Sequence, residues 1–190
     1  TNKTIRAGRG GLSMTNEEYA DDIDNAVFPG GQGGPLMHNI AGKAVGFKEA
    51  LQPEFDEYIQ QVVDNAATLA ETFADHGFEL VSGGTDTHLV LVDLRESHPD
   101  LSGSDAEDAL AEAEIILNGN TVPGETRSPF NPSGIRAGTP ALTTRGFDED
   151  AIAEAGDLIY RVVDNHDDDA VIEEVADRVG EPCAAHPPDG

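Results

Sequence analysis

The sequence predicts a mixed α/β fold, on three observations. Apolar residues recur at spacings of three and four over several long segments, the signature of helices with one buried face. Short runs of β-branched and large apolar residues lie between them, bounded by Gly-, Ser- and Asn-rich loops. The resulting order is strand end, helices, long helix, two strands, helix, strand, two helices, with no fixed-period repeat. A chain of 190 residues is long enough for one core and part of another domain, at about 150 residues per domain.

Segment 1–14 (TNKTIRAGRGGLSM) is Gly-rich and basic, unlike the rest of the chain, and residues 12–14 read as the end of a buried strand. Thr15-Asn16-Glu17-Glu18 has the form of a capping box, so a short helix is expected near 16–26. VFPGGQGGP at 27–35 is a Gly-Pro loop. Over 36–51 apolar residues occupy nearly all faces, with Gly42 and Gly46 between them. A helix apolar all round is a buried one, so a core or subunit-interface helix is expected here, its small residues letting another backbone approach. Pro53 suits the first turn of the next helix. Tyr58, Ile59, Val62, Val63, Ala66, Leu69, Ala70 and Phe73 carry that helix to a stop at His76-Gly77.

Segments 78–81 and 88–94 read as strands joined by SGGTDT. Ser104 and Glu107 form a second capping box, opening an alanine-rich helix to about residue 114. Residues 115–117 suit a short strand, 118–133 a loop, and 134–138 an extended edge. Asp148 caps a helix carrying Ile152, Ala155, Ile159, Val162 and Val163. Val171, Ile172, Val175 and Val179 mark a final helix, and the tail EPCAAHPPDG reads as irregular. The join between a first piece and a compact second domain is expected near 50–53, giving 1–52 and 53–190.

Lys+Arg number 11 and Asp+Glu 37, a formal charge of −26. That balance argues against nucleic-acid backbones and anionic membranes as partners. No apolar run approaches a membrane span of about 20 residues. Cys183 is the single cysteine, so neither an intramolecular disulfide nor a multi-cysteine metal site is available. The acids are spread through every segment, and only Lys3, Lys43 and Lys48 are lysines. This is the pattern of a surface adapted to high salt, where charge repulsion is screened within a few ångströms. In a chain so short of cations, each buried lysine or arginine is expected to have a task.

Several residues are candidates for chemistry. Lys3 precedes a Gly-rich turn with Arg6 and Arg9; it is either a solvated lysine or an amine made nucleophilic by nearby positive charge. GGQGGP (30–35) opens a helix and suits either a tight turn or a cradle of backbone N–H groups for a phosphate. It matches neither a nucleoside-triphosphate P-loop nor a dinucleotide fingerprint. Arg136, flanked by small residues in SGIRAGTP, either forks onto a ligand carboxylate or joins a surface ion pair. Asn120 and the loop TVPGETRSPF offer amide, hydroxyl and aromatic groups suited to a flat heteroaromatic ligand, as any long loop can. The six histidines show no metal-ligand spacing. His88, between a Gly-rich loop and a strand, is the one to watch, as a structural or a functional histidine. Cys183 reads as inert, and the run Asp167-Asp168-Asp169 as solvated charge at a helix start.

Taken together, four segments resemble one family. TNKTIRAGRGG resembles the pyridoxal-phosphate lysine segment of serine hydroxymethyltransferase. So do AVFPGGQGGPLMHNIAGKAVGFKEAL (26–51), VSGGTDTHLVLVDL (81–94) and NGNTVPGETRSPFNPSGIRAGTPALTTRGF (118–147), in the family's order. The resemblance covers the chain to about residue 180.

It implies the aminotransferase-type fold of pyridoxal-phosphate enzymes (fold type I). Residues 1–52 would be the C-terminal end of the large cofactor domain, and 53–190 the small C-terminal α/β domain. It implies that Lys3 forms the internal aldimine with pyridoxal 5'-phosphate, and that Arg9 lies near that lysine. Gly33 and Gly34 would touch the cofactor phosphate across a subunit interface, making the active unit a homodimer or larger. Arg136 would hold the amino-acid carboxylate. Asn120, Ser128 and Phe130 would meet the folate, and Phe28 resembles an aromatic given to the neighbouring subunit's folate site.

The implied reaction converts serine plus tetrahydrofolate to glycine plus 5,10-methylenetetrahydrofolate, reversibly, in the cytoplasm and without nucleic acid or membrane. The sequence departs from the family by Asn2, where a histidine usually precedes the lysine. Family members are also much longer. The sequence therefore looks like the C-terminal half, expected to be inactive alone. Two other readings are a folate-independent, threonine-aldolase-like lyase of the same fold and a non-catalytic half-chain that folds or dimerises only with a partner. The loop around Asn120 and Phe130 argues against the lyase.

Overall fold

The structure, a computed structural model, describes residues 1–188. It forms two compact units, Thr1–Glu57 and the chain from Tyr58 onward.

The first unit is a tight N-terminal turn followed by helices. The Arg6 N–H donates to Lys3 O and the Ala7 N–H to Thr1 O, both at 3.0 Å, while the Thr1 hydroxyl donates to Gly8 O. A 3₁₀ turn (Glu17–Tyr19), helix α1 (Ala20–Asn25) and a wide π-type turn (Ala26–Gly31) lead to α2 (Met37–Glu49). The expected strand end at 12–14 does not form; Leu12 and Met14 are 58% and 87% exposed. A strand needs a neighbour to take up its backbone groups, and these residues pair with none among those described. The capping box is also corrected: Asn16, not Thr15, is the N-cap, and it makes no side-chain cap bond.

Helix α2 is not buried within this chain. Gly46 alone is buried along it, while Met37, Ile40 and Val45 are exposed. Its small residues do admit a second backbone. A Cβ on Gly46 would stand 2.8 Å from Ala7 Cα, and one on Gly8 3.0 Å from Asn39 O, so the Ala7-Gly8 backbone rests directly on the helix.

The second unit is a four-stranded sheet with its helices packed on one buried surface. Helix α3 (Pro53–Asp75) leads into β1 (Glu79–Leu80), β2 (Leu89–Asp93), α4 (Leu94–Ser97), α5 (Gly103–Glu112), β3 (Asn118–Asn120) and β4 (Gly134–Gly138). Then come α6 (Pro140–Thr144), α7 (Glu149–Asp164) and α8 (Asp169–Ala185). The strand order is β1-β2-β4-β3, every pair antiparallel. Alternation along β2 and β4 sends Val90, Val92, Ile135 and Ala137 into one core with Leu69, Phe73, Leu110, Ile152, Val162 and Val175. No helix of the described residues is long and apolar enough to cross a membrane.

Several local expectations shift here. The segment 134–138 is no edge; β4 lies between β2 and β3. The short strand forms at Asn118–Asn120 rather than 115–117, because the chain is still closing α5 at Ile115, whose N–H donates to Leu110 O at 2.8 Å. Helix α5 is capped by Ser102, whose Oγ accepts from Asp105 N at 3.1 Å; the Ser104 hydroxyl donates instead to Phe130 O at 3.1 Å. The earlier start results from packing. Gly103 N–H donates to Pro132 O at 2.7 Å, and a Cβ on Gly103 would lie 2.0 Å from Gly134 O.

Asp148 and Asp168 cap α7 and α8 through bonds from Ala151 N and from Ala170 and Val171 N. Helix α8 runs through Pro182 to Ala185, so 181–185 are not irregular. Arg145 holds its end, donating to Cys183 O at 3.0 Å and His186 O at 2.7 Å. The last two residues of the tail lie outside those described.

Fully buried Asn65 ties α3 to the segment after β4. Its Nδ2 donates to Thr143 Oγ1 and Phe147 O, both at 2.9 Å, and its Oδ1 accepts from Gln61 Nε2 at 3.0 Å. Thr139 Oγ1 donates to Val62 O at 2.8 Å. Asn65→Ala leaves the Thr143 hydroxyl and the Phe147 carbonyl short of a partner. The expected loss of unfolding free energy is about 1–3 kcal/mol. An unchanged denaturant midpoint would show that Asn65 does not brace this segment.

Candidate functional sites in the two units

In the first unit, Arg9, Phe28, Gly33 and Gly34 line one open groove of about 860 Å³. The loop 32–36 leads straight into α2, whose first turn carries no acid. Neither Gly33 nor Gly34 donates its N–H to any acceptor among the described residues, and a Cβ on either would meet nothing within 4 Å. The groove thus offers free backbone donors and a helix start, which favour an anion. Lys43 closes one side, its Nζ donating to Gly11 O at 3.2 Å. Lys3 does not line this groove. It is exposed, and its ammonium has no hydrogen bond or ion pair among the described residues; its backbone carbonyl closes the N-terminal turn.

In the second unit, Arg136 occupies the middle of β4, with Leu91 opposite on β2 and Asn118 on β3. It is exposed while Ile135 and Ala137 on either side are buried, so it points away from the core. Its guanidinium makes no ion pair among the described residues, contrary to the surface-pair alternative. Asn120 is two residues along β3 from Asn118 and shares the outward face. Its Nδ2 is engaged by Thr121 O at 2.7 Å. The next loop carries Ser128, whose Oγ accepts from Phe130 N at 3.3 Å, and Phe130, 93% exposed. His88 is half-buried; its carbonyl accepts from Thr139 N at 3.0 Å, a structural task at the end of β4. Cys183 is partly buried against the core.

Three residues that hold this half-site have no motif to announce them. Glu125 Oε1 accepts from Thr126 N at 2.9 Å, Arg127 N at 2.8 Å and Ser133 Oγ at 2.7 Å. Its Oε2 accepts from Ser133 N at 2.9 Å and Val122 N at 3.4 Å. The Arg127 N–H first, with the Ser133 and Val122 donors, holds this carboxyl down at about 2 against the opposing effect of burial. Arg95 forks onto Asp93 at 2.6 and 2.9 Å and donates to Pro123 O and Gly124 O, both at 3.0 Å. That fork holds the Asp93 carboxyl below its ordinary range. Arg127 donates to Leu101 O and Pro99 O, both at 2.9 Å. The scarcity of cations was the one available signal for the arginines. Glu125, one of 37 acids, had none.

A surface-exposed guanidinium on a small antiparallel sheet, beside a braced loop with an exposed aromatic, suits a small-molecule enzyme of the α/β class. Comparison with known proteins narrows the class. The family described as serine hydroxymethyltransferase matches residues 1–159. The chain is 76% identical over 187 residues to the serine hydroxymethyltransferase of Halorubrum lacusprofundi, covering 98% of this chain and 45% of that protein. It is 73% identical to that of Haloarcula marismortui over 95% of this chain and 44% of the relative. With that of Natronomonas pharaonis the identity is 71%, over 98% of this chain and 44% of the relative. The chain belongs to the serine hydroxymethyltransferase family, with the fold type I of pyridoxal-phosphate enzymes and a haloarchaeal character that agrees with its acidic surface. It spans less than half the length of these relatives.

Proposed function

We propose that the chain is the C-terminal part of a cytoplasmic serine hydroxymethyltransferase. The whole enzyme interconverts serine plus tetrahydrofolate with glycine plus 5,10-methylenetetrahydrofolate, as a homodimer or larger assembly. The single observation behind this reading is Arg136: a guanidinium on an open sheet face with no ion-pair partner among the described residues, in a chain 71–76% identical to proteins of that name.

The N–H groups of Gly33 and Gly34, which meet no acceptor among the described residues, fit a phosphate, and the exposed primary amine of Lys3, without a partner among the described residues, fits an aldehyde. Pyridoxal 5'-phosphate, when bound, supplies an electron sink for the α-carbon of the amino acid. Lys3 would hold it through Nζ with Arg9 near that lysine, and Gly33 and Gly34 would touch the cofactor phosphate across a subunit interface. Arg136 forks onto the carboxylate of serine and orients the amino acid. Asn120 Oδ1, the Ser128 hydroxyl and the exposed ring of Phe130 border the pterin, with Phe28 doing so for a neighbouring subunit.

The test is the folate dependence of serine cleavage by the full-length polypeptide. Glycine formation from serine is expected to require tetrahydrofolate. Equal cleavage without it would instead establish the folate-independent lyase.

A further inference from the structure

The loop between β3 and β4 springs from the Asn120–Gly134 pair of the ladder, and just beyond that pair one side chain ties its two arms together. Glu125 and Ser133 are eight residues apart, and the Glu125 carboxylate takes both the Ser133 N–H and its hydroxyl. The same carboxylate gathers the N–H groups of Val122, Thr126 and Arg127 on the ascending side. Everything between, including Ser128, Pro129 and Phe130, is the tip of a loop whose two ends meet at these oxygens. The descending end runs directly from Ser133 into β4, and so to Arg136.

The remaining ties hold one arm of the loop to the rest of the unit or close its tip: the Gly103 N–H takes the Pro132 carbonyl at 2.7 Å, the Leu94 N–H the Ser133 carbonyl at 3.0 Å and the Asn131 N–H the Ser128 carbonyl at 2.8 Å. Ser104 holds the Phe130 carbonyl at 3.1 Å, Arg127 reaches back to Pro99 and Leu101, and Arg95 takes the carbonyls of Pro123 and Gly124. None of these joins the two ends of the loop to each other. Five donors converging on two oxygens require an ionised carboxylate. A neutral amide has one acceptor oxygen, and its NH₂ group would face donors rather than acceptors.

We infer that Glu125 is a positioning residue for the pterin half-site: by knotting Val122, Thr126 and Arg127 to Ser133 it presets the tip carrying Ser128 and Phe130. This rests on the serine hydroxymethyltransferase reading above. Glu125 touches no reactant. Its effect is to present the loop tip already ordered, which removes the ordering cost from pterin binding. Arg136 is held mainly by the β2 and β3 ladders, so serine binding depends on the knot less.

Glu125→Gln in the full-length enzyme tests the inference through steady-state kinetics and equilibrium dialysis with tetrahydrofolate. The KM and Kd for tetrahydrofolate are expected to rise about 10-fold, the scale of losing one charge-assisted anchor. The KM for serine should rise less, and kcat at saturation should fall less than the pterin KM rises. Ser133→Ala, which removes one of the five donors and keeps the backbone N–H, is expected to give a smaller rise in the same direction. It covers the case in which Glu125→Gln does not fold. Amide exchange at Thr126, Arg127 and Ser133 should quicken in either variant. Unchanged pterin KM and Kd in a folded variant overturn the positioning role alone, as does a uniform fall in kcat with KM intact. A wild-type enzyme that neither needs nor binds tetrahydrofolate overturns the parent reading and this inference with it.

Discussion

Lys3→Ala in the full-length enzyme is expected to leave a folded protein that has lost its serine turnover by about 10³-fold or more, the scale of deleting a nucleophilic or proton-transferring group. The separation between folding and chemistry is unusually clean at this position. The Lys3 ammonium makes no hydrogen bond or ion pair among the described residues. Its backbone carbonyl accepts from Arg6 N at 3.0 Å, a bond that alanine keeps. An exposed side chain without such contacts changes stability by about 0.5 kcal/mol at most. Two measurements decide it: serine turnover with pyridoxal phosphate present, and the mass of the peptide containing residue 3 after borohydride treatment. Wild type should carry the reduced cofactor on that peptide and the variant should not. A variant with normal turnover and normal cofactor retention ends the assignment of Lys3.

Arg136→Ala carries the second large effect. The guanidinium stands on the outward face of β4, between Leu91 and Asn118, with no acid paired to it among the described residues. Its backbone is fixed by ladders on both sides, so truncation does not disturb the strand. If the side chain forks onto the serine carboxylate, its removal weakens serine binding by about 2–5 kcal/mol, as for one lost partner of a buried charge pair. That is roughly 30-fold to several thousand-fold in Kd. Arg136→Lys restores the charge but not the planar fork, and should recover only part of the affinity. Serine affinity unchanged in Arg136→Ala removes Arg136 from the site.

The long helices and several of their ends are legible in the sequence. The three-and-four spacing from Tyr58 to Phe73 becomes α3, and its stop falls at Gly77, whose φ of +82° suits glycine. Asp148 and Asp168 read as helix-start acids and act as caps, because a cap bonds to the next two or three residues and needs nothing distant. At the start of α5 a distant contact overrides the local signal. The sequence points to a box headed by Ser104, but the cap is Ser102, because Gly103 packs against Gly134 thirty-one residues later.

The site was legible as residue types and not as an arrangement. Arg136, Asn120, Ser128 and Phe130 fall on one sheet face and the loop beside it. Arg9, Phe28, Gly33 and Gly34 fall on one groove, and Lys3 falls outside that groove. Helix α2 carried the pattern of a buried element, yet the first unit alone does not cover it. Periodicity reports that a face is apolar, not which partner covers it.

Local chemistry settles most of the long helical segments of this chain, several of their caps, and which residue types are available for the proposed binding of an amino acid and a pterin. Bonds between neighbours a few residues apart suffice for that. Strand order, the interior place of β4, the Asn65 network and the Glu125 knot come only with the fold. Each depends on groups far apart in sequence being brought within about 3 Å of one another, the reach of a hydrogen bond, and no local pattern encodes which of 37 acids will meet Ser133.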